Sequence, residues 1–157
     1  MAFRHKTLIF ALAATLAIGA SAQPSSNFLI ATRKGAMNLQ AKYFGPLLAM
    51  ARGAVPYDAR VVQRNADYLL VISQLPWEDF QPQTLGLPNT RAKEAVAKDP
   101  EKFKQLADTL QSDEQKMAAA ARAGDQAAVK SALQAMGRTC NSCHEDFTSY
   151  EFRFKIE

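Results

Sequence analysis

Glycine and proline break this chain at only a few places, and the stretches between the breaks repeat their apolar residues with a helical period. From about Ser26 to Ala51 the apolar positions are Phe28, Leu29, Ala36, Leu39, Tyr43, Leu47 and Met50. Their steps are sums of three and four, which puts them on one face of a helix. Pro46 falls late in this segment and is expected to kink or shorten it, because proline cannot donate a helical hydrogen bond. Gly53 and Pro56 end the segment. A second helix is expected from about Asp58 to Leu75, through Val61, Val62, Leu69, Ile72 and Leu75. A third is expected from Asp99, a good N-cap followed by Pro100, to about Ala123, with Phe103, Leu106, Leu110, Met117 and Ala121 as its stripe. Gly124 stops it, and Asp125 caps a fourth helix that carries Val129, Leu133 and Met136. Four amphipathic helices and no credible strand series predict an all-α, antiparallel four-helix bundle.

Two segments do not read as helix. Pro76 to Asn89 holds three prolines and Gly86 beside Trp77 and Phe80, and an irregular connection of that length usually has a task. In the tail, Phe147, Tyr150 and Phe154 fit helical spacing, while Phe152, Phe154 and Ile156 fit strand alternation.

The N-terminus has a different character. Arg4, His5 and Lys6 precede an uncharged, mostly apolar run from Leu8 to Ala20, and Ala20-Ser21-Ala22 supplies small residues for cleavage. This is the pattern of a secretory signal. The run falls short of the ~20 residues a membrane-spanning helix needs. Residues 1–22 are therefore expected to be removed on export, leaving residues 23–157 as a single periplasmic domain without membrane insertion. Nineteen Lys and Arg against fifteen Asp and Glu give a net charge of +4 with no basic cluster, which argues against a nucleic-acid partner.

Two cysteines and two histidines are all that the chain contains. Loss of His5 with the signal leaves His144, and it directly follows the second cysteine in Cys140-Asn141-Ser142-Cys143-His144. In an exported chain, C-x-x-C-H is the attachment pattern of c-type haem. On a helix turning about 100° per residue, Cys140, Cys143 and His144 share an arc of about 100°. Two thioethers can then anchor one edge of the porphyrin while the imidazole reaches the iron. Three other readings compete. A thioredoxin-like dithiol would want a βαβ setting, and none is visible. Zinc would want four ligands. A structural disulfide leaves the adjacent histidine to coincidence.

On these residues the chain resembles the cytochromes c′, class II c-type cytochromes that carry haem near the C-terminus of a four-helix bundle. The resemblance spans essentially the whole mature chain. It includes Arg33-Lys34-Gly35-Ala36-Met37, Pro56-Tyr57-Asp58-Ala59, Leu75-Pro76-Trp77-Glu78-Asp79-Phe80, Phe103-Lys104-Gln105 and the late haem motif. It implies one covalent haem c, held through Cys140 and Cys143 with His144 on the iron. Arg33 matches an arginine beside the haem propionates, and Met37 matches the position over the open side of the iron. Lys34 stands where Gln is often found. Trp77 and Phe80 match aromatics of the distal pocket, and Thr90 and Arg91 match loop residues near the haem. Glu94 and Ala97 depart from a common Pro and Trp, and Thr148 replaces a basic residue usual near the proximal histidine. The resemblance also implies a homodimer through the first two helices.

With one histidine in the mature chain, bis-histidine ligation is impossible within it. The iron is five-coordinate or closed by the Met37 thioether. The distal face implied by the resemblance is apolar and crowded, which suits neutral NO and CO better than O₂, whose iron complex wants a hydrogen bond. Distal acid–base groups for peroxide cleavage are missing, so no enzyme activity is expected beyond weak NO detoxification. The leading expectation is a periplasmic high-spin haem protein that binds NO and CO and exchanges electrons with a redox partner the sequence does not identify. The alternative is a low-spin electron carrier with Met37 as sixth ligand. A haem-free helical adaptor with a Cys140–Cys143 disulfide is the third reading.

Overall fold

The computed structural model describes residues 23–150 and 153–154. The expected signal segment Met1–Ala22 lies outside the described residues, as do Phe152 and Ile156 of the tail. The helices are α1 (Ser26–Ala51), α2 (Ala59–Ile72), the single turn α3 (Ala95–Lys98), α4 (Pro100–Ala123) and α5 (Gln126–Phe147). Short 3₁₀ turns at Trp77–Asp79 and Pro82–Thr84 punctuate the connection before α3. No strand forms among the described residues beyond one isolated antiparallel bridge between Ala92 and Thr148.

The helix starts follow side-chain chemistry. Ser25, Asp58, Asp99 and Asp125 each accept a hydrogen bond from a backbone N–H of the first turn of α1, α2, α4 and α5. Such caps contribute about 1 kcal/mol each. Gly124 closes α4 in the left-handed region at φ 72°, a conformation that side chains with a Cβ resist.

α4 packs along α5 and α2, α2 along α1, and α1 meets α5, which closes the antiparallel bundle. Leu47, Leu69, Met117, Leu133 and Met136 fill its centre, fully buried. A second cluster of Leu85, Val96, Phe103 and Phe147 sits where α4, α5 and the long connection meet.

Three expectations are corrected. α1 is not shortened by Pro46 but continues to Ala51. Pro46 and Lys42, whose carbonyl loses its helical partner, both lie on the exposed side, where water can bond that carbonyl. α2 ends at Ile72, and Leu75 is exposed. Finally, Phe28 and Leu39 of the expected apolar stripe are exposed, while Ile30, Arg33, Gln40 and Phe44 are buried in α1. The buried face is rotated because α1 has to present polar side chains to the loop and to a cavity. In the tail, the helical spacing does not hold, because α5 stops at Phe147 and Thr148 is extended, while the alternation reading rests on Phe152 and Ile156, outside the described residues.

Candidate functional site

The C-terminal half of α5 carries Cys140, Cys143 and His144 to the wall of a cavity of about 520 Å³. Arg33, Lys34 and Met37 reach the same cavity from α1, and Trp77 and Phe80 reach it from the first 3₁₀ turn and its end. Thr90 and Arg91 line it from the loop before α3. All ten residues singled out in the sequence therefore meet at one place. Phe44, Leu69, Phe103, Leu106, Leu110 and Met136 make most of the remaining wall apolar.

Cys140 and Cys143 are both free thiols. Burial pushes Cys140 up to about 12, with the Glu114 carboxyl adding to the effect. Burial likewise pushes Cys143 up to about 11, helped by Asp146. Among the described residues no cluster of three His, Cys, Asp or Glu is placed to hold a bare metal ion. Two thiols and an imidazole on one helix, facing a mostly apolar cavity, fit a flat, covalently held macrocycle with its own metal.

Arg33 is 3% exposed and ties the loop to α1. Its Nη1 donates to the Asp79 carbonyl at 3.0 Å and to Thr84 Oγ1 at 2.6 Å. Its Nη2 donates to the Thr84 carbonyl and to Thr90 Oγ1, both at 2.6 Å. The guanidinium also lies 4.7 Å from the Phe80 ring centroid. Burial lowers its pKa, and nearby Asp79 opposes that shift. A guanidinium has five N–H donors, so one remains for anything else. The loop thus fixed brings in an aromatic cluster: Phe80 and Phe103 rings are 4.9 Å apart, Trp77 and Phe103 5.9 Å, and Phe103 and Phe147 5.3 Å. The Trp77 indole N–H donates to the Ser73 carbonyl.

Some lining residues were not foreseen. Gln40 and Glu114 are buried in the wall, and Gln40 Nε2 and both Glu114 oxygens lack a hydrogen-bond partner at ordinary geometry. Burial pushes Glu114 up to about 8; the Ser73 hydroxyl opposes the shift and Asp113 adds to it. Both residues carried a signal, since each is a polar residue on an otherwise apolar stripe: Gln40 between Ala36 and Phe44, Glu114 between Leu110 and Met117. Tyr150 and Phe154 of the tail also line the cavity.

The sequence pattern of the family described as Cytochrome C' matches residues 29–148, a span that holds α2 to α5, all of α1 but its first three residues, and the C-x-x-C-H motif. The chain belongs to the cytochrome c′ family. The cytochrome c′ of Rubrivivax gelatinosus is 38% identical over 115 residues, 73% of this chain and 89% of that protein. The solved cytochrome c′ of Shewanella frigidimarina matches with a TM-score of 0.78 at 28% identity, over 82% of this chain and 100% of the other. A ferrous variant of the Alcaligenes xylosoxidans cytochrome c′, solved with NO bound, matches with a TM-score of 0.75 at 30% identity, over 83% and 100%. The family implies a c-type haem with iron, the kind of group that the cavity and its donors fit. Tyr150 and Phe154 lie beyond the matched span.

Proposed function

We propose that this chain is an exported, periplasmic haem protein with a five-coordinate, high-spin iron that binds NO and CO and exchanges electrons. The observation that carries the reading is the meeting of Cys140, Cys143 and His144 with Met37, Trp77 and Phe80 around one cavity. When bound, the haem supplies a redox-active iron with one open position for a diatomic ligand. Cys140 and Cys143 hold it covalently, one group per chain, and His144 ligates the iron. Met37, half-buried on α1, screens the open position. Arg33 contributes a buried positive charge, while the exposed Lys34 and Arg91 at the same cavity suit the propionates. The apolar wall favours neutral ligands, and weak NO detoxification follows from NO capture rather than from acid–base catalysis.

Assembly as a homodimer through α1 and α2 is supported by their exposed apolar residues. Phe28 and Leu39 are eleven positions apart and share a face of α1, and Tyr68 and Val71 lie three apart on α2. No described helix is long and apolar enough to cross a membrane. A second reading rests on the Met37 thioether, which reaches the cavity from α1 and would make a low-spin electron carrier if it bonded the iron.

Absorption spectra of oxidised and reduced protein, taken before and after acid–acetone extraction, test the proposal. Colour that stays on the polypeptide and a high-spin ferrous spectrum are expected. Extractable colour, or colourless protein, rejects the covalent haem, and a low-spin ferrous spectrum transfers the assignment to the Met37-ligated carrier.

A further inference from the structure

The tail after α5 is the aromatic segment that the bundle does not need, and it returns to the haem motif itself. Thr148 is extended and forms the isolated bridge with Ala92, and the Ser149 N–H donates to the Arg91 carbonyl at 2.8 Å. The Tyr150 ring lies under the Arg91 guanidinium at 4.4 Å. Phe154 is then found beside Asn141, thirteen residues earlier. Its N–H donates to Asn141 Oδ1 at 2.8 Å, and Asn141 Nδ2 donates to its carbonyl at 2.9 Å. A primary amide offers both donor and acceptor, so one side chain captures a whole peptide unit as a neighbouring strand would. The Phe154 ring stands edge-on to Phe44 of α1, with centroids 4.9 Å apart.

His144 lies between these two anchors. Its ring centroid is 6.3 Å from that of Tyr150 and 6.5 Å from that of Phe154. Asn141 is one helical turn before His144, so the two point to the same side of α5. Asn141 is also a variable position of C-x-x-C-H, which leaves it available for this task without touching attachment. The tail bonds and the ring contacts therefore converge on the one imidazole of the mature chain.

The geometry points to Asn141, Tyr150 and Phe154 as positioning residues for His144, fixing its ring so that it stays on the haem iron when a strong ligand binds on the other side. This rests on the haem reading above. A bound haem would supply the iron that takes NO, and a loosely held His144 would be the more readily lost from that iron. Holding the ring against two aromatic neighbours opposes that loss, because the imidazole has less room to move away.

The test uses holoprotein with Asn141→Ala, Asn141→Asp, Phe154→Ala and, as control, Lys130→Ala at an exposed position early in α5. Pyridine haemochrome and acid–acetone extraction first establish covalent haem in each. Ferrous protein is then titrated with NO and its coordination number read by electron paramagnetic resonance, with the iron–histidine stretch read by resonance Raman. Asn141→Ala and Phe154→Ala are expected to raise the five-coordinate to six-coordinate ratio at least about tenfold, a shift of about 1.4 kcal/mol. They should also lower or broaden the iron–histidine band, with Asn141→Asp between them and wild type and Lys130→Ala unchanged. Fully loaded Asn141→Ala and Phe154→Ala proteins with wild-type nitrosyl ratio and stretch overturn the positioning role while leaving the haem reading intact. Wild-type protein without covalent haem overturns the haem reading itself.

Discussion

Arg33 Nη1 donates at 2.6 Å to Thr84 Oγ1, a residue fifty-one positions away that is itself completely buried. This contact, with the three other bonds of the same guanidinium, is what turns the irregular segment around Trp77 and Phe80 into a fixed wall. Arg33→Met removes the charge, leaves the buried Thr84 carbonyl without its donor, and leaves the Asp79 carbonyl with only the Thr84 hydroxyl at 3.2 Å. An orphaned buried acceptor costs about 1–3 kcal/mol, so a loss of that size in unfolding free energy is expected. Arg33→Lys keeps a charge but cannot supply two parallel donors, and should recover only part of it. Urea unfolding checks both, and an Arg33→Met protein as stable as wild type rejects the loop-tying role.

Glu114 makes stability depend on pH in a definite direction. Its carboxyl is pushed from an ordinary 4.5 up to about 8, chiefly by burial. Between those values the folded chain keeps a proton that the unfolded chain has lost. Stability from this residue is therefore fully present below 4.5 and falls as pH rises toward 8. At pH 7 the cost is on the order of 3 kcal/mol. Glu114→Gln has nearly the shape of the protonated acid and no charge to bury. It is expected to flatten the decline between about pH 5 and 8 and to leave the protein more stable than wild type at the upper end. Unfolding free energies of wild type and variant at stepped pH decide it, and parallel slopes refute it.

Helix existence and type were legible because capping residues and apolar steps agree: Asp99 with Pro100, Gly124 and Asp125 mark the α4 and α5 boundaries where the structure has them. The site was legible for a different reason. Cys140, Cys143 and His144 are held by one helix, so their relation is local and follows from spacing alone. Long-range choices were not. Spacing alone does not bring the Thr84 and Asp79 carbonyls to Arg33, and Phe28 and Leu39 read as core because periodicity gives a face without saying what covers it. The place of Phe154 was hidden for the same reason, since its partner Asn141 lies within the haem motif and nothing in the tail's own spacing points there.

Phe28, Leu39, Tyr68 and Val71 leave an apolar face on α1 and α2. If two copies meet there around a two-fold axis, each residue acts twice, so one charge placed on the face counts double. Val71→Asp is expected to convert a dimer to monomer at micromolar concentration in sedimentation equilibrium, with the absorption spectrum unchanged. A wild-type monomer at that concentration rejects the assembly.

Met37 reaches the cavity from α1, four residues after Arg33, and the two side chains share a helix face. Because Arg33 is locked to Thr84, Thr90 and Asp79, the register of α1 over the cavity is fixed, and Met37 has little freedom to seek the iron. A thioether is a weak iron ligand and bonds only where the protein delivers the sulfur along the axis. Met37 is therefore expected to screen the open position without closing it. Met37→Ala should widen the path to the iron and speed CO association by roughly tenfold, about 1.4 kcal/mol off the barrier, while the ferrous spectrum stays high-spin. Flash photolysis of the CO complex gives the rate, and the absorption spectrum gives the spin state. A low-spin wild type that becomes high-spin in Met37→Ala reverses the assignment, because only a bonded sulfur is lost with a change of spin.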